Sequence, residues 1–176
     1  MMIFTYCPGC KSVKLQYTQG KRFFCPDCLF TYFHNPAAAV AGIIFIEQEL
    51  LLIKRAQDPG KGKFHLPGGF VDPGESAEQA LQRELYEELG VKVVTCEYIM
   101  SFPNTYVYKG ISYSTCDLFY EIKIQSFPGK WDKNEIAEVV LVPPVTIHTL
   151  EFAFISVKNA LTSYINKNDH TPPHRG

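Results

Sequence analysis

The chain has 176 residues, 46% of them hydrophobic and 14% aromatic, enough for one ordinary domain and a small appendage. Lys+Arg of 17 against Asp+Glu of 18 leave a formal net charge of -1, which excludes a global basic field for nucleic acid or an anionic membrane. The longest apolar runs, Val40 to Ile46 and Val139 to Val145, fall far short of the roughly 20 residues of a spanning helix. The opening Met-Met-Ile-Phe-Thr-Tyr also lacks the basic and apolar regions of a secretion signal, so the expected setting is the cytoplasm, where paired cysteines usually bind metal.

Residues 1–34 hold four of the six cysteines as Cys7-Pro-Gly-Cys10 and Cys25-Pro-Asp-Cys28, separated by fourteen residues. Two residues between cysteines let both thiolates reach one tetrahedral ion, and a doubled pair at this spacing reads as a structural zinc ribbon with Zn2+ on Cys7, Cys10, Cys25 and Cys28. Disulfides or inert core thiols are the alternative, and the missing secretion signal counts against the former. Four thiolates leave no open coordination position, so zinc catalysis is disfavoured. Cys96 and Cys116 lie inside strand patterns and read as small buried hydrophobes.

Asn35-Pro36 punctuates the chain, and a second domain is expected over 35–167. Val40–Ile46 and Leu50–Ile53 read as a hairpin of buried strands, and a short strand around Phe64 sits between glycine-rich stretches. Ser76 to Leu89 is the clearest helix, with Ser76 and Gln79 forming a capping box and Gly90 just past its end. Residues 91–102 and 112–124 predict two long antiparallel strands, separated by Pro103, Asn104 and Gly110, and Ile136 to Val142 a further one. Leu150, Phe154, Val157, Leu161 and Ile165 recur at helical spacing. Residues 168–176 are expected to be a disordered tail. Strands around two helices give an α/β (α+β) class with a mixed sheet.

Within the capped helix, Glu84, Glu87 and Glu88 fall at i, i+3 and i+4 on one arc about 100° wide, beside Leu81, Leu85 and Leu89. Like charges converging within one turn are costly unless a hard divalent cation compensates them, and magnesium or manganese is the natural choice. A solvated acidic helix face is the bland reading, and the upstream context opposes it. Gly69 is followed by five residues and Glu75, then by seven residues and Arg83-Glu84-Leu85-Tyr86-Glu87-Glu88-Leu89-Gly90-Val91. This resembles the Nudix box at every fixed position, and the resemblance extends over most of residues 37–166. It implies an αβα sandwich with the box as loop-helix-loop. It further implies catalytic metals on Glu84, Glu87 and Glu88, helped by the Gly69 carbonyl, and a Glu75–Arg83 pair bracing the loop. The reaction implied is hydrolysis of a pyrophosphate bond, yielding a nucleoside monophosphate and the phosphate ester of the second moiety. The base is Glu84 itself or a carboxylate of the segment 134–139, where Glu135 is the first candidate and Glu138 the alternative.

A four-cysteine ribbon before such a domain is similar to the arrangement in NADH pyrophosphatases, as is the join Tyr32-Phe-His-Asn-Pro36. Where those enzymes carry Ser-Gln-Pro-Trp-Pro-Phe-Pro-x-Ser, this chain has Ser101-Phe-Pro-Asn-Thr-Tyr106, a departure that makes ADP-ribose comparable to NAD(H) as the expected small-molecule substrate. Phe102, Tyr106 and Tyr113, with Tyr108, are candidates to stack on a base, against plain cross-strand packing. Arg55 and Lys54 are candidates to meet phosphates or to face solvent. Two other readings stand beside the enzyme: a nucleotide- or RNA-binding sensor on the same fold, and removal of an NAD cap from RNA. A homodimer is a further expectation from the related pyrophosphatases.

Overall fold

Three short antiparallel strands, β1 (Gln16–Thr18), β2 (Arg22–Phe24) and β3 (Thr31–Phe33), pair in the order β1-β2-β3 and build the first part of the chain. The computed structural model describes residues 4–19 and 21–169. By its contacts the chain divides into two units, Met1–Pro36 and Ala37–Gly176. The first unit has almost no aliphatic core. Phe23 is its one large buried side chain among the described residues, ringed by Phe4, Tyr17, Phe30 and Tyr32 at centroid distances of 5.0 to 6.0 Å.

The second unit is built on β4 (Ala37–Ile46), β5 (Glu49–Arg55), β6 (Phe64–His65), β7 (Val93–Tyr108), β8 (Ile111–Ile124) and β9 (Ile136–Val142), with helices α1 (Ala77–Leu89) and α2 (Ile155–Asp169). The sheet runs β6-β5-β4-β8-β7, with β9 also on β5. β4 and β8 are parallel, Ala37 opposite Thr115 through Ile44 opposite Ile122, and the other pairs are antiparallel, so the sheet is mixed. Alternation along the strands makes two cores. Val40, Ile44, Leu51, Ile53 and Ile122 pack with Leu81, Leu85 and Leu89 of α1. Ala41, Ile43, Leu50, Leu52 and Phe119 pack with Val157, Leu161 and Ile165 of α2. The result is the expected αβα sandwich. Among the described residues no helix is long and apolar enough to cross a membrane.

Several boundaries differ from the sequence reading. β7 does not stop at residue 102 but runs through Pro103 to Tyr108, because β7 is an edge strand and the missing proline N–H has no neighbour to serve. Residues 150–154 are not helical. Phe64 N donates to the Glu151 carbonyl, and Ala153 N to that of Phe64, so this stretch lies alongside β6. A 3-10 turn, Pro144–Thr149, precedes it and α2 begins only at Ile155. The helix then continues through Asp169, past the expected limit of 167, and the rest of the expected tail lies outside the described residues.

One departure from regular pairing positions the site. β4 and β5 pair only at Phe45–Leu50 and Ile46–Glu49, then part. The vacated edge of β4 is taken by residues 67–71: Gly42 N donates to Pro67 O at 2.9 Å, Val40 N to Gly69 O at 2.8 Å, and Val71 N to Ala38 O at 3.1 Å. The loop that opens the box is thereby stitched to the central strand.

Candidate active site and four-cysteine centre

The two cysteine pairs of the first unit fold alike. Lys11 N donates to the Cys7 carbonyl and Leu29 N to that of Cys25, both at 2.8 Å, and each turn ends on a residue of positive φ, Lys11 at 63° and Leu29 at 64°. Ser12 Oγ and Lys14 Nζ both reach Asp27 and tie one turn to the other. The four sulfurs lie within 4.8 Å of one another, with Cys7–Cys28 at 3.5 Å and Cys10–Cys25 at 3.6 Å. A tetrahedron with metal–sulfur distances of about 2.3 Å has edges of about 3.8 Å, so the cluster has the size of a tetrahedral ion site. Burial opposes ionisation of Cys25, yet the backbone N–H groups of Cys28 and Asp27 and the neighbouring thiols hold it down at about 7. Cys28 receives the Phe30 N–H but is pushed up to about 12 by Cys10, burial and the other thiols. Four thiols this close cannot all ionise without a shared cation.

In the second unit, Ser76 caps α1 as expected: its hydroxyl accepts from Gln79 N, the Gln79 side chain accepts from Ser76 N, and Gly90 closes the helix at φ 65°. Leu81, Leu85 and Leu89 fix the buried side, which leaves Glu84 and Glu88 directed at the loop on β4. Glu88 is 6% exposed and accepts the Gly68 N–H at 2.8 Å. Burial pushes its carboxyl up to about 8, against that hydrogen bond and with help from Glu84 and Glu135. Glu84 is also raised, burial outweighing its ion pair with Arg83 at 2.8 Å. Glu87 is exposed and lies 3.2 Å from the same guanidinium. Among the three carboxylates, Glu84 and Glu87 share Arg83 Nη1, and Glu88 takes the Gly68 N–H.

Arg83 organises this arrangement. Its Nε and Nη2 grip both oxygens of Glu75 at 2.8 and 3.0 Å, Nη2 also donates to the Phe70 carbonyl at 3.1 Å, and Nη1 serves Glu84 and Glu87. The guanidinium holds Glu75 below the usual carboxylate range, and the Glu75 and Glu84 carboxylates in turn raise the pKa of Arg83. Gly69 lies so close to Glu84 that a Cβ there would strike its carboxylate, and Gly68, at φ 140°, presses on the backbone of Val40 and Ala41. Only glycine fits at position 68, whereas a side chain at 69 would displace the Glu84 carboxylate.

These elements enclose a cavity of about 290 Å³. Of the residues singled out in the sequence, it is lined by Gly69, Glu84, Glu88, Glu135, Arg55 and Tyr106. Arg55 donates to the Pro59 carbonyl at 2.7 Å and stacks over Phe154. Tyr106 packs between Phe70 and Phe154, at 5.3 and 5.6 Å. Phe102 instead packs edge-on against Phe119 in the α2 core, and Tyr113 is exposed on the β8 strand; neither lines the cavity. Glu138 pairs with Lys54 at 2.6 Å and is likewise outside it. The cavity also takes His65, Asn104, Thr115, Asp117 and Phe154, which sequence reasoning did not assign to a site. One signal for Asp117 was present: a charged residue between Thr115 and Phe119 on the inward face of a strand.

Comparison with known proteins follows the same lines. The NUDIX domain family matches residues 35–159, more than half the chain. An ADP-ribose pyrophosphatase of Methanocaldococcus jannaschii is 55% identical over 75 residues, covering 42% of this chain and 44% of that protein. An NAD-capped RNA hydrolase of Schizosaccharomyces pombe is 30% identical over 115 residues, covering 57% of this chain and 31% of its own length. The chain thus spans less than half the length of either relative. A solved NUDIX hydrolase from Nitrosomonas europaea superposes with a TM-score of 0.67 at 26% identity, over 96% of this chain and 94% of that one. With the box in its loop-helix-loop, the sheet between two helices and the family match over residues 35–159, this chain belongs to the Nudix family.

Proposed function

We propose that the chain hydrolyses the pyrophosphate linkage of a nucleoside diphosphate joined to a second moiety, of the ADP-ribose or NAD(H) kind, releasing a nucleoside monophosphate. The observation that carries this is the concentration of Glu84, Glu88 and Glu135 on one cavity, where Glu88 is buried against Gly68 and its ionised form lacks a cation of its own. Such a donor set fits hard divalent ions such as magnesium or manganese, held by Glu84, Glu87, Glu88 and the remaining lone pair of the Gly69 carbonyl. Bound there, the metal neutralises diphosphate charge and lowers the pKa of water.

The protein's own groups do the rest. Water adds across one P–O bond, its proton passes to a carboxylate, and the electron pair of the broken bond leaves with the departing phosphate. Glu135 is our choice of base, because Glu84 already accepts from Arg83 whereas no side-chain hydrogen bond engages Glu135 among the described residues. Glu75 and Arg83 hold loop and helix in register. Arg55 is placed to meet a phosphate, and Tyr106 to offer an aromatic face to a base or ribose. In the first unit Cys7, Cys10, Cys25 and Cys28 would hold a structural Zn2+. Free thiols of this kind suit a reducing compartment such as the cytoplasm. The S. pombe relative favours one second reading, that the diphosphate is presented as the NAD cap of an RNA.

The test is a panel of ADP-ribose, NADH, NAD and NAD-capped RNA with magnesium or manganese, run on wild type, Glu88→Gln and Glu135→Gln and resolved by chromatography. Turnover to a monophosphate, lost in Glu88→Gln and strongly reduced in Glu135→Gln, is expected. Binding without turnover of any of them would instead make the chain a sensor.

A further inference from the structure

The cavity carries a buried group that pyrophosphate cleavage does not use. Asp117, in the middle of β8, is 8% exposed and lines the cavity floor, beside Ala39 of β4. Its Oδ1 accepts from Thr115 Oγ1 and its Oδ2 from Ser156 Oγ, both at 2.6 Å. No cationic side chain pairs with it among the described residues. Each carboxylate oxygen accepts two hydrogen bonds, so one acceptor position per oxygen stays open. A brace between β8 and α2 needs no charge: asparagine would serve at a lower desolvation cost.

A second polar group on the same cavity is short of a partner. His65 Nδ1 is enclosed and makes no hydrogen bond, while its ring rests edge-on against Phe154 at 5.1 Å. Buried polar atoms are nearly always satisfied. His65 Nδ1, without a partner, and Asp117, with an open acceptor position on each oxygen, share one cavity with the rings of Tyr106 and Phe154 and mark a place where a ligand completes the bonding.

We propose that Asp117 is the residue that reads the nucleoside end of the substrate, accepting N–H or O–H donors of a nucleoside diphosphate. The proposal rests on the hydrolase reading and adds to it the choice of substrate. A carboxylate fixed by Thr115 and Ser156 only accepts, so it favours an exocyclic amino group or a ribose hydroxyl and rejects a carbonyl or a bare carbon at that point. Both donor sources share this chemistry.

The experiment compares ADP-ribose with two analogues, one with hypoxanthine for adenine and one lacking the adenosine 2′-hydroxyl, on wild type, Asp117→Asn and Ser156→Ala. Kd is measured by calorimetry with Ca2+ in place of Mg2+, and kcat/KM with Mg2+. Wild type should prefer ADP-ribose over one analogue by roughly ten- to a hundredfold; the hypoxanthine analogue losing identifies the amino group, the deoxy analogue the hydroxyl. Asp117→Asn should abolish that preference, mainly through Kd and KM, and Ser156→Ala should weaken it in the same direction. Melting curves report whether each variant is folded. Folded variants that keep the wild-type ratios, or a wild type that does not discriminate, would make Asp117 a brace and overturn the proposal. Expected Kd ratios without turnover would keep Asp117 and remove the hydrolase reading, and no binding of any of the three would remove both.

Discussion

Replacing Glu88 by glutamine tests what the buried carboxylate costs the metal-free protein. Glutamine has nearly the same shape, and its Oε1 can still accept the Gly68 N–H. Burial moves the Glu88 carboxyl from 4.5 to about 8, and at about 1.4 kcal/mol per unit the ionised form costs on the order of 5 kcal/mol. The sign follows from the raised value. The folded state holds a proton that the unfolded chain releases, so the proton's contribution to stability is full below pH 4.5, shrinks as pH rises and is gone above about 8. Wild type unfolded in chelator should therefore weaken steadily from pH 5 to 8.5, and Glu88→Gln should lack that component. Relaxation of water and dipoles around the ionised group offsets part of the cost, and even about 2 kcal/mol raises Tm by about 4–8 °C in a chain of this size. Added Mg2+ should reverse the order at pH 8, stabilising wild type and leaving the variant unchanged. Parallel pH curves in chelator for the two proteins would refute the reasoning.

Arg83→Lys keeps the charge but loses the fork on Glu75 and the simultaneous contacts with Glu84 and Glu87; kcat should fall about 10- to 100-fold with little change in urea midpoint. Gly68→Ala puts a Cβ onto the Val40 carbonyl and 2.9 Å from Ala41 Cα, and urea unfolding should show a loss of about 3 kcal/mol or more. Cys25→Ser should reduce zinc from one per chain to near none by elemental analysis, and limited proteolysis should then cut within residues 4–36 while leaving α1 intact. Tyr106→Ala should raise KM severalfold, whereas Tyr113→Ala, outside the cavity, should leave it unchanged.

What could be read from the sequence was what is local. The cap at Ser76, the leucine spacing and Gly90 define α1 within a dozen residues, and the glutamates follow from it. The Cys-x-x-Cys turns close on themselves in the same way. Edge position, by contrast, belongs to the whole sheet, so Pro103 reads as a break although it sits within β7. Leu150 and Phe154 have helical spacing, but pairing with β6 outweighs it. The Asp117 side of the cavity was hidden for the same reason: Asp117 and His65 come from β8 and β6, Ser156, which holds Asp117, comes from α2, and no spacing joins them. Phe102 and Tyr106 lie four residues apart on one edge strand, yet one meets Phe119 and the other Phe70, a difference set by the neighbouring elements.

The stitching of residues 67–71 onto β4 bears on how such a protein diversifies. Donors at Val40 and Gly42 and an acceptor at Ala38 recur with the two-residue period of a strand, so the segment has a register. Inserting one residue there would turn Gly68 and Gly69 to the wrong sides and carry Glu84 and Glu88 out of reach of the backbone they touch. Length variation is thus barred from residues 67–71 and free at the β7–β8 hairpin tip, Tyr108 to Ile111, where only exposed side chains are displaced. A chain of this fold can lengthen at that far end of the hairpin while the segment next to α1 keeps its length.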